Sequence, residues 1–242
     1  MTSADPAELR GRTVIITGVG AAGQVGAAVA KGFARAAAHV HLIGRKRDDA
    51  EARAAELRAE GWLANGYGAD LADSHELARL RAQMGDAGIT AHALINAAGG
   101  FAPSGRLADS DPAVWHAQFH INATTAYLAT RAFIPALRAQ GGSVVFFTSA
   151  SVLPGASAAG LTAYAAAKSA VLSLMRTVAD EERGHGIRAN ALAPQAIRTA
   201  TNEAAMPAGT RFVEMSAVVD AAMFLASDRS RGITGQVISL AP

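Results

Sequence analysis

The sequence predicts an α/β fold, a single doubly wound domain on a seven-stranded parallel sheet. Three features of the 242 residues carry this reading. Seven short apolar runs lack the alternation of a half-exposed strand, as expected of parallel strands covered on both faces. Longer Ala-rich helical stretches separate them, which gives right-handed βαβ units. Glycines cluster directly after the first run, where a strand would hand over to a helix.

In chain order, Thr13–Thr17 (TVIIT) is the first strand and Thr17–Gly26 (TGVGAAGQVG) the turn after it. Helical patterning covers 24–37, and Val40–Ile43 follows as the second strand. The helix over 48–60 opens with Asp48 and Asp49, acids suited to the positive end of a helix dipole. Leu63–Tyr67, a helix over 74–84 and the strand Ala93–Asn96 come next. A long helix over 112–139 leads to Ser143–Thr148 (SVVFFT), and another over 162–183 leads to Arg188–Ala193. A helix over 214–227 and the strand Gln236–Leu240 complete the pattern. These elements use up the length, so 1–242 reads as one domain without linker or repeat.

Composition excludes several classes. Lys+Arg 22 against Asp+Glu 20 leaves a net charge of +2, and aromatics are 5%. The densest basic cluster is Arg45-Lys46-Arg47, so the basic stripe with interleaved aromatics of a nucleic-acid binder is missing. Without cysteine there is no disulfide scaffold, Cys-ligated metal or thiol nucleophile. No apolar run reaches the roughly 18–20 residues of a membrane span. The opening MTSADPAELRGR holds acids and no apolar stretch, unlike a signal peptide, so a soluble, cytoplasmic protein is expected. No metal is expected either: His116 and His120 stand i, i+4, but no carboxylate partner accompanies them.

Chemistry concentrates in three places. Gly18, Gly20, Gly23 and Gly26 would let a pyrophosphate approach the backbone at a helix N-terminus, although such spacing also serves tight packing. Tyr164 and Lys168, in LTAYAAAKSAVLSLM, share one helix face, so phenol and ammonium can address one ligand. With three Tyr and three Lys in the chain, chance would give about 0.04 such pairs. The bland alternative is a half-buried Tyr beside a snorkelling Lys. A neighbouring cation favours phenolate, as acid/base work near neutral pH requires. Ser149 ends the SVVFFT strand, where parallel sheets bind ligands, and Ser151 follows two residues later. Either could instead be a turn-forming Ser.

Together these pieces resemble a short-chain dehydrogenase/reductase of the single-domain branch, a Rossmann-type fold, over nearly the whole chain. Besides Tyr164-Ala-Ala-Ala-Lys168, the resemblance rests on Leu94-Ile-Asn-Ala-Ala-Gly99 and on Trp115 followed by Asn122. It rests also on Gly186-Ile-Arg-Ala-Asn-Ala-Leu-Ala-Pro194, on Phe224-Leu-Ala-Ser-Asp228 and on Thr234-Gly235-Gln236. It implies that Tyr164 is the acid/base on the substrate oxygen and that Lys168 binds the nicotinamide ribose. It implies that the strand-end Ser bonds the substrate oxygen and that Asn122 holds a water connecting Lys168 to solvent. Strand geometry places Ser149 in the Ser role, whereas Ser151 has the more usual separation from Tyr164. Asn96, Ala97, Gly99, Pro194 and Thr199 would line the cofactor, with Asp70 and Leu71 flanking the adenine. The glycine turn departs from the family spacing, its third glycine arriving two residues late. Gln195 stands where the family has glycine.

The resemblance implies a small carbonyl or alcohol substrate and a homodimer or homotetramer paired through the helices at 112–139 and 162–183. Cofactor choice has a physical argument. NAD-specific relatives place an acid at the end of the second strand; here that position is Gly44, followed by Arg45. A guanidinium can grip a 2′-phosphate that an acid would repel. NADP is therefore expected over NAD, with Arg45 as the phosphate contact. The alternatives are an NAD-dependent alcohol dehydrogenase, an epimerase-like enzyme, or a catalytically silent dinucleotide-binding regulator.

Overall fold

The structure, a computed structural model, describes residues 9–242. The reading that residues 1–8 belong to no signal peptide lies outside the described residues. Seven parallel strands are present: β1 (Thr13–Thr17), β2 (His39–Gly44), β3 (Ala64–Gly68), β4 (Ala93–Asn96), β5 (Gly142–Phe147), β6 (Ile187–Pro194) and β7 (Val237–Leu240). They lie side by side in the order β3-β2-β1-β4-β5-β6-β7. The helices are α1 (Val25–Arg35), α2 (Arg47–Ala59), α3 (Ser74–Asp86), α4 (Pro112–Gln118), α5 (Thr125–Arg138), α6 (Thr162–Glu181), α7 (Ala200–Ala205) and α8 (Met215–Ala226).

Neighbouring residues of β1 point to opposite faces of the sheet. Ile16 joins Val29 and Phe33 of α1 and Leu225 of α8 in one core, and Ile15 joins Phe133 of α5 and Met175 of α6 in the other. Both faces are thus covered, which is why the central strands show no alternation. The outer strands β3 and β7 are only partly buried.

Two features differ from the expected elements. The stretch 112–139 is not one helix: α4 and α5 are joined by a π-helical turn, Phe119–Thr124. Such a turn adds a residue to the helical repeat and re-aims the side chains within it, here Asn122. Helix α7 was not expected. Its six residues are too short for a periodic signal, and Thr199 caps it by accepting the Asn202 N–H at Oγ1 (3.2 Å). Among the described residues, no helix is long and apolar enough to cross a membrane.

Because β2 and β4 flank β1, the direction of chain progression reverses there. Such a reversal opens a crevice at the carboxyl ends of the strands, the place where open α/β sheets bind ligands.

Candidate active site

The glycine turn between β1 and α1 borders this crevice. Gly18 has φ +74°, and a Cβ there would stand 2.5 Å from the Ala98 backbone. A side chain is thus barred twice, by conformation and by the β4 loop behind it. At the start of α1, a Cβ on Gly26 would collide with the Gly18 carbonyl oxygen. Gly20 and Gly23 have open space where a side chain would be. No acid occupies the first turn of α1 and no side chain caps it, which leaves backbone N–H groups and the dipole facing that space. The residues present fit a dinucleotide pyrophosphate.

Farther along the crevice, Ser149 continues β5 in extended conformation, α6 presents Tyr164 and Lys168 one turn apart, and the π-turn presents Asn122. Ser149 Oγ lies 2.9 Å from Ser151 Oγ and accepts the Ser151 N–H (3.2 Å). It also stands close enough to the Tyr164 phenol to oppose its upward shift. Lys168, 6% exposed, donates from Nζ to the Phe147 carbonyl oxygen (3.0 Å) and lies 5.8 Å from the Tyr164 ring centroid. Asn122 donates from Nδ2 to the carbonyl oxygens of Gly100 and Gln118 (3.0 Å each), and its Oδ1 accepts the Gly100 N–H (3.2 Å). Gly99 is wedged between these groups. A Cβ on it would stand 2.7 Å from Asn122 Oδ1 and 3.2 Å from Lys168 Nζ.

Burial dominates the electrostatics. It lowers Lys168 from the usual 10.5 to about 8. It raises the Tyr164 phenol above its usual 10, and the nearby Ser149 only partly opposes this. Burial, not the neighbouring ammonium, sets the direction of the Tyr164 shift. Tyr164 is held in its protonated form, the form that can give a proton to a substrate oxygen.

The other expected positions divide by where their side chains turn. Arg45, Lys46 and Arg47 are exposed, and none takes part in the ion pairs of the described residues. A Cβ on Gly44 would collide with the Val19 carbonyl oxygen in the glycine turn. Asp70 Oδ1 accepts the Ala72 N–H (2.9 Å), closing a local turn. Leu71 is a core side chain beside Leu77 and Leu80, so only its backbone is free to face a ligand. Asn96 also turns inward: Nδ2 donates to Thr130 Oγ1 (2.9 Å), while its buried Oδ1 has no partner. Ala97 lies behind Gly18, Pro194 ends β6 in the interior, and Thr199 caps α7.

Two participants escaped the sequence. Gln24 Nε2 donates to Thr201 Oγ1 (3.4 Å), linking the glycine turn to α7. Phe101 packs edge-to-face against Tyr164, ring centroids 5.1 Å apart. No periodicity marks either residue. The one available sign for Phe101 was its position two residues beyond Gly99.

A sheet that reverses at β1, a glycine turn open to a pyrophosphate, and a Ser–Tyr–Lys cluster near it form a crevice of the kind that holds dinucleotides. The chain belongs to the short-chain dehydrogenase family of oxidoreductases, whose family model matches residues 12–208. It is similar to 2-(S)-hydroxypropyl-CoM dehydrogenase 3 of Xanthobacter autotrophicus, at 31% identity over 96% of each chain. It is also similar, at 32% identity over 88% of this chain and 97% of the other, to the inactive 2-(S)-hydroxypropyl-CoM dehydrogenase 2 of the same organism. Among solved structures, a gluconate 5-dehydrogenase from Burkholderia cenocepacia in complex with NADP and tartrate superposes with a TM-score of 0.89. That match has 26% identity over 97% of this chain and 95% of the other.

Proposed function

We propose that this protein interconverts a carbonyl and a secondary alcohol using NADP(H), with residues 1–242 forming one dinucleotide-binding and catalytic domain. The supporting observation is that Asn122 and Lys168 meet at Gly99 and Lys168 lies beside the Tyr164 ring, next to Ser149 at the carboxyl end of β5. Gly18, Gly20, Gly23 and Gly26 would hold the pyrophosphate, Lys168 the nicotinamide ribose, and Asn96, Ala97, Gly99, Pro194 and Thr199 the remaining walls. Asp70 and the Leu71 backbone would flank the adenine. The nicotinamide supplies the hydride when bound.

The chain's own residues handle the proton. Ser149 orients the substrate oxygen, and Tyr164 gives it a proton in reduction or removes one in oxidation. Lys168, whose burial brings it near 8, steadies the phenolate left behind, and Asn122 fixes the Gly99–Gly100 backbone alongside. Arg45 carries the preference for NADP, because Gly44 leaves no room for the acid that would select NAD.

Assembly as a homodimer or homotetramer through the α4–α5 and α6 surfaces, and a cytoplasmic location, belong to the same reading. A second reading is a dinucleotide-binding protein without turnover, and the inactive relative gives it weight. Tyr164→Phe separates the two. Turnover of a carbonyl panel with NADPH should fall by roughly 10²–10⁴ in the variant while NADPH affinity holds. NADPH binding with no turnover by the unmodified protein establishes the silent reading instead.

A further inference from the structure

Phe101 stands on a loop fixed from the catalytic side. The preceding Gly100 exchanges two hydrogen bonds with the Asn122 side chain, at 3.2 and 3.0 Å. A Cβ on Gly100 would lie 2.9 Å from the Ile121 side chain, so this backbone sits tightly on the π-turn. Three residues after Phe101, the Ser104 N–H donates to the Gly160 carbonyl oxygen (2.9 Å), tying the loop to the segment that leads into α6. The Phe101 ring nevertheless remains 62% exposed, while its contact with the half-buried Tyr164 ring is edge-to-face at 5.1 Å and 82°. Most of a large apolar surface is thus held open next to the phenol that would give up the proton.

The Phe101 ring faces the Tyr164 ring rather than an ion pair. The stretch after Ser149 reads Ala150-Ser151-Val152-Leu153-Pro154. The cation at the base of the α7 loop, Arg198, is engaged by Glu203 (2.7 Å) and Glu214 (2.8 Å) and lies over the Phe212 ring. Burying a polyol against an aromatic face would strip its hydroxyls of water without returning hydrogen bonds. A flat apolar group would cover the Phe101 ring and gain by aromatic packing.

We infer that Phe101 is the specificity-determining residue of this site, receiving an aryl or similarly flat apolar substituent on the carbonyl carbon of the substrate. The inference rests on the proposed role of Tyr164, and its test has a readout independent of turnover. The ring would pack on the substituent while Ser149 and Tyr164 meet the oxygen, so both ends of the substrate would be fixed by side chains already in contact.

The experiment compares acetophenone with butanone, in the unmodified protein and in Phe101→Ala. Because Phe101 is mostly exposed, the variant should keep its thermal midpoint. With NADPH, kcat/KM for acetophenone should fall about tenfold or more, and that for butanone less than about threefold. A disturbed Tyr164 would depress both ketones alike, and an equal fall for the two overturns the inference. Acetophenone binding is also measured on the NADPH complex of Tyr164→Phe, with and without Phe101→Ala, by quenching of nicotinamide fluorescence. Weakening of about tenfold on loss of the ring supports the inference even where turnover is absent, so a failure of the proposed activity is told apart from a failure of Phe101. Unchanged binding overturns it.

Discussion

Gly99 leaves Asn122 no room for a neighbouring methyl group: a Cβ on the glycine would stand 2.7 Å from Asn122 Oδ1. Asn122 cannot easily withdraw, because its amide is bonded to Gly100 and Gln118. The φ of Gly99 is not in the left-handed region, so Gly99→Ala is a steric test without backbone strain. It should destabilise the protein by about 1–3 kcal/mol, as overpacking does, and should lower kcat more than it raises KM. Calorimetry and steady-state kinetics read the two effects. A variant with an unchanged thermal midpoint and unchanged kcat removes the Gly99–Asn122 contact from the mechanism.

Ser149 and Ser151 can be separated. Ser149 is the hydroxyl that acts on the Tyr164 phenol, opposing its upward shift, and Ser151 Oγ is hydrogen-bonded to Ser149 Oγ (2.9 Å). Ser149→Ala should reduce kcat by roughly 10²–10³, the usual cost of losing one oxygen-stabilising donor. Ser151→Ala should stay within a few-fold. The reverse order would move the role to Ser151.

Cofactor choice makes a two-sided prediction. Arg45→Ala should cut the NADPH-over-NADH ratio in kcat/KM by about ten- to a hundredfold, corresponding to a charge-assisted pair of roughly 1.5–3 kcal/mol. Gly44→Asp adds the acid suited to NAD, yet its Cβ would collide with the Val19 carbonyl oxygen. That variant should lose thermal stability as well as NADPH affinity. A clean switch to NADH at full stability would falsify the packing argument.

Acid should weaken the fold through β2. His41 is 1% exposed, its Nδ1 lies 3.1 Å from the Tyr67 hydroxyl, and its Nε2 has no partner. Burial, and secondarily the nearby His39, lowers it from 6.5 to about 4. The unfolded chain therefore takes up this proton first. The His41 contribution is fully present above pH 6.5 and is lost as pH falls toward 4, amounting to about 3 kcal/mol. Urea unfolding between pH 7.5 and 4.5 should show this slope, and His41→Leu should flatten it. An identical slope in the variant assigns the acid sensitivity elsewhere.

Much of this was legible in the sequence because the central strands carry runs no solvent-facing strand could tolerate, as in TVIIT and SVVFFT. Tyr164 and Lys168 were legible because a helix fixes the relation of residues four apart. What stayed hidden depends on geometry without a period. The π-turn at Phe119–Thr124 inserts its extra residue within an otherwise helical pattern, so 112–139 read as continuous. Asn96 and Leu71 belong to motifs near the site, but their side chains turn into the core, a choice set by strand pleat and turn direction. The raised Tyr164 likewise follows from burial, which no spacing reveals.

The strand order has a consequence for how the chain comes together. Every neighbouring pair in the sheet joins consecutive strands except β1 and β4. At that seam the Thr13 N–H donates to His92 Nδ1 (3.1 Å) across 79 residues of chain. Closing so long a loop costs entropy before its contacts repay it, and long-range pairings slow folding. Pairing of β1 with β4 is thus expected to follow the local pairings within β1–β3 and β4–β7. At the seam's carboxyl end, Gly18 and Ala98 lie back to back. The line along which the sheet closes last is the line along which its ligand crevice opens.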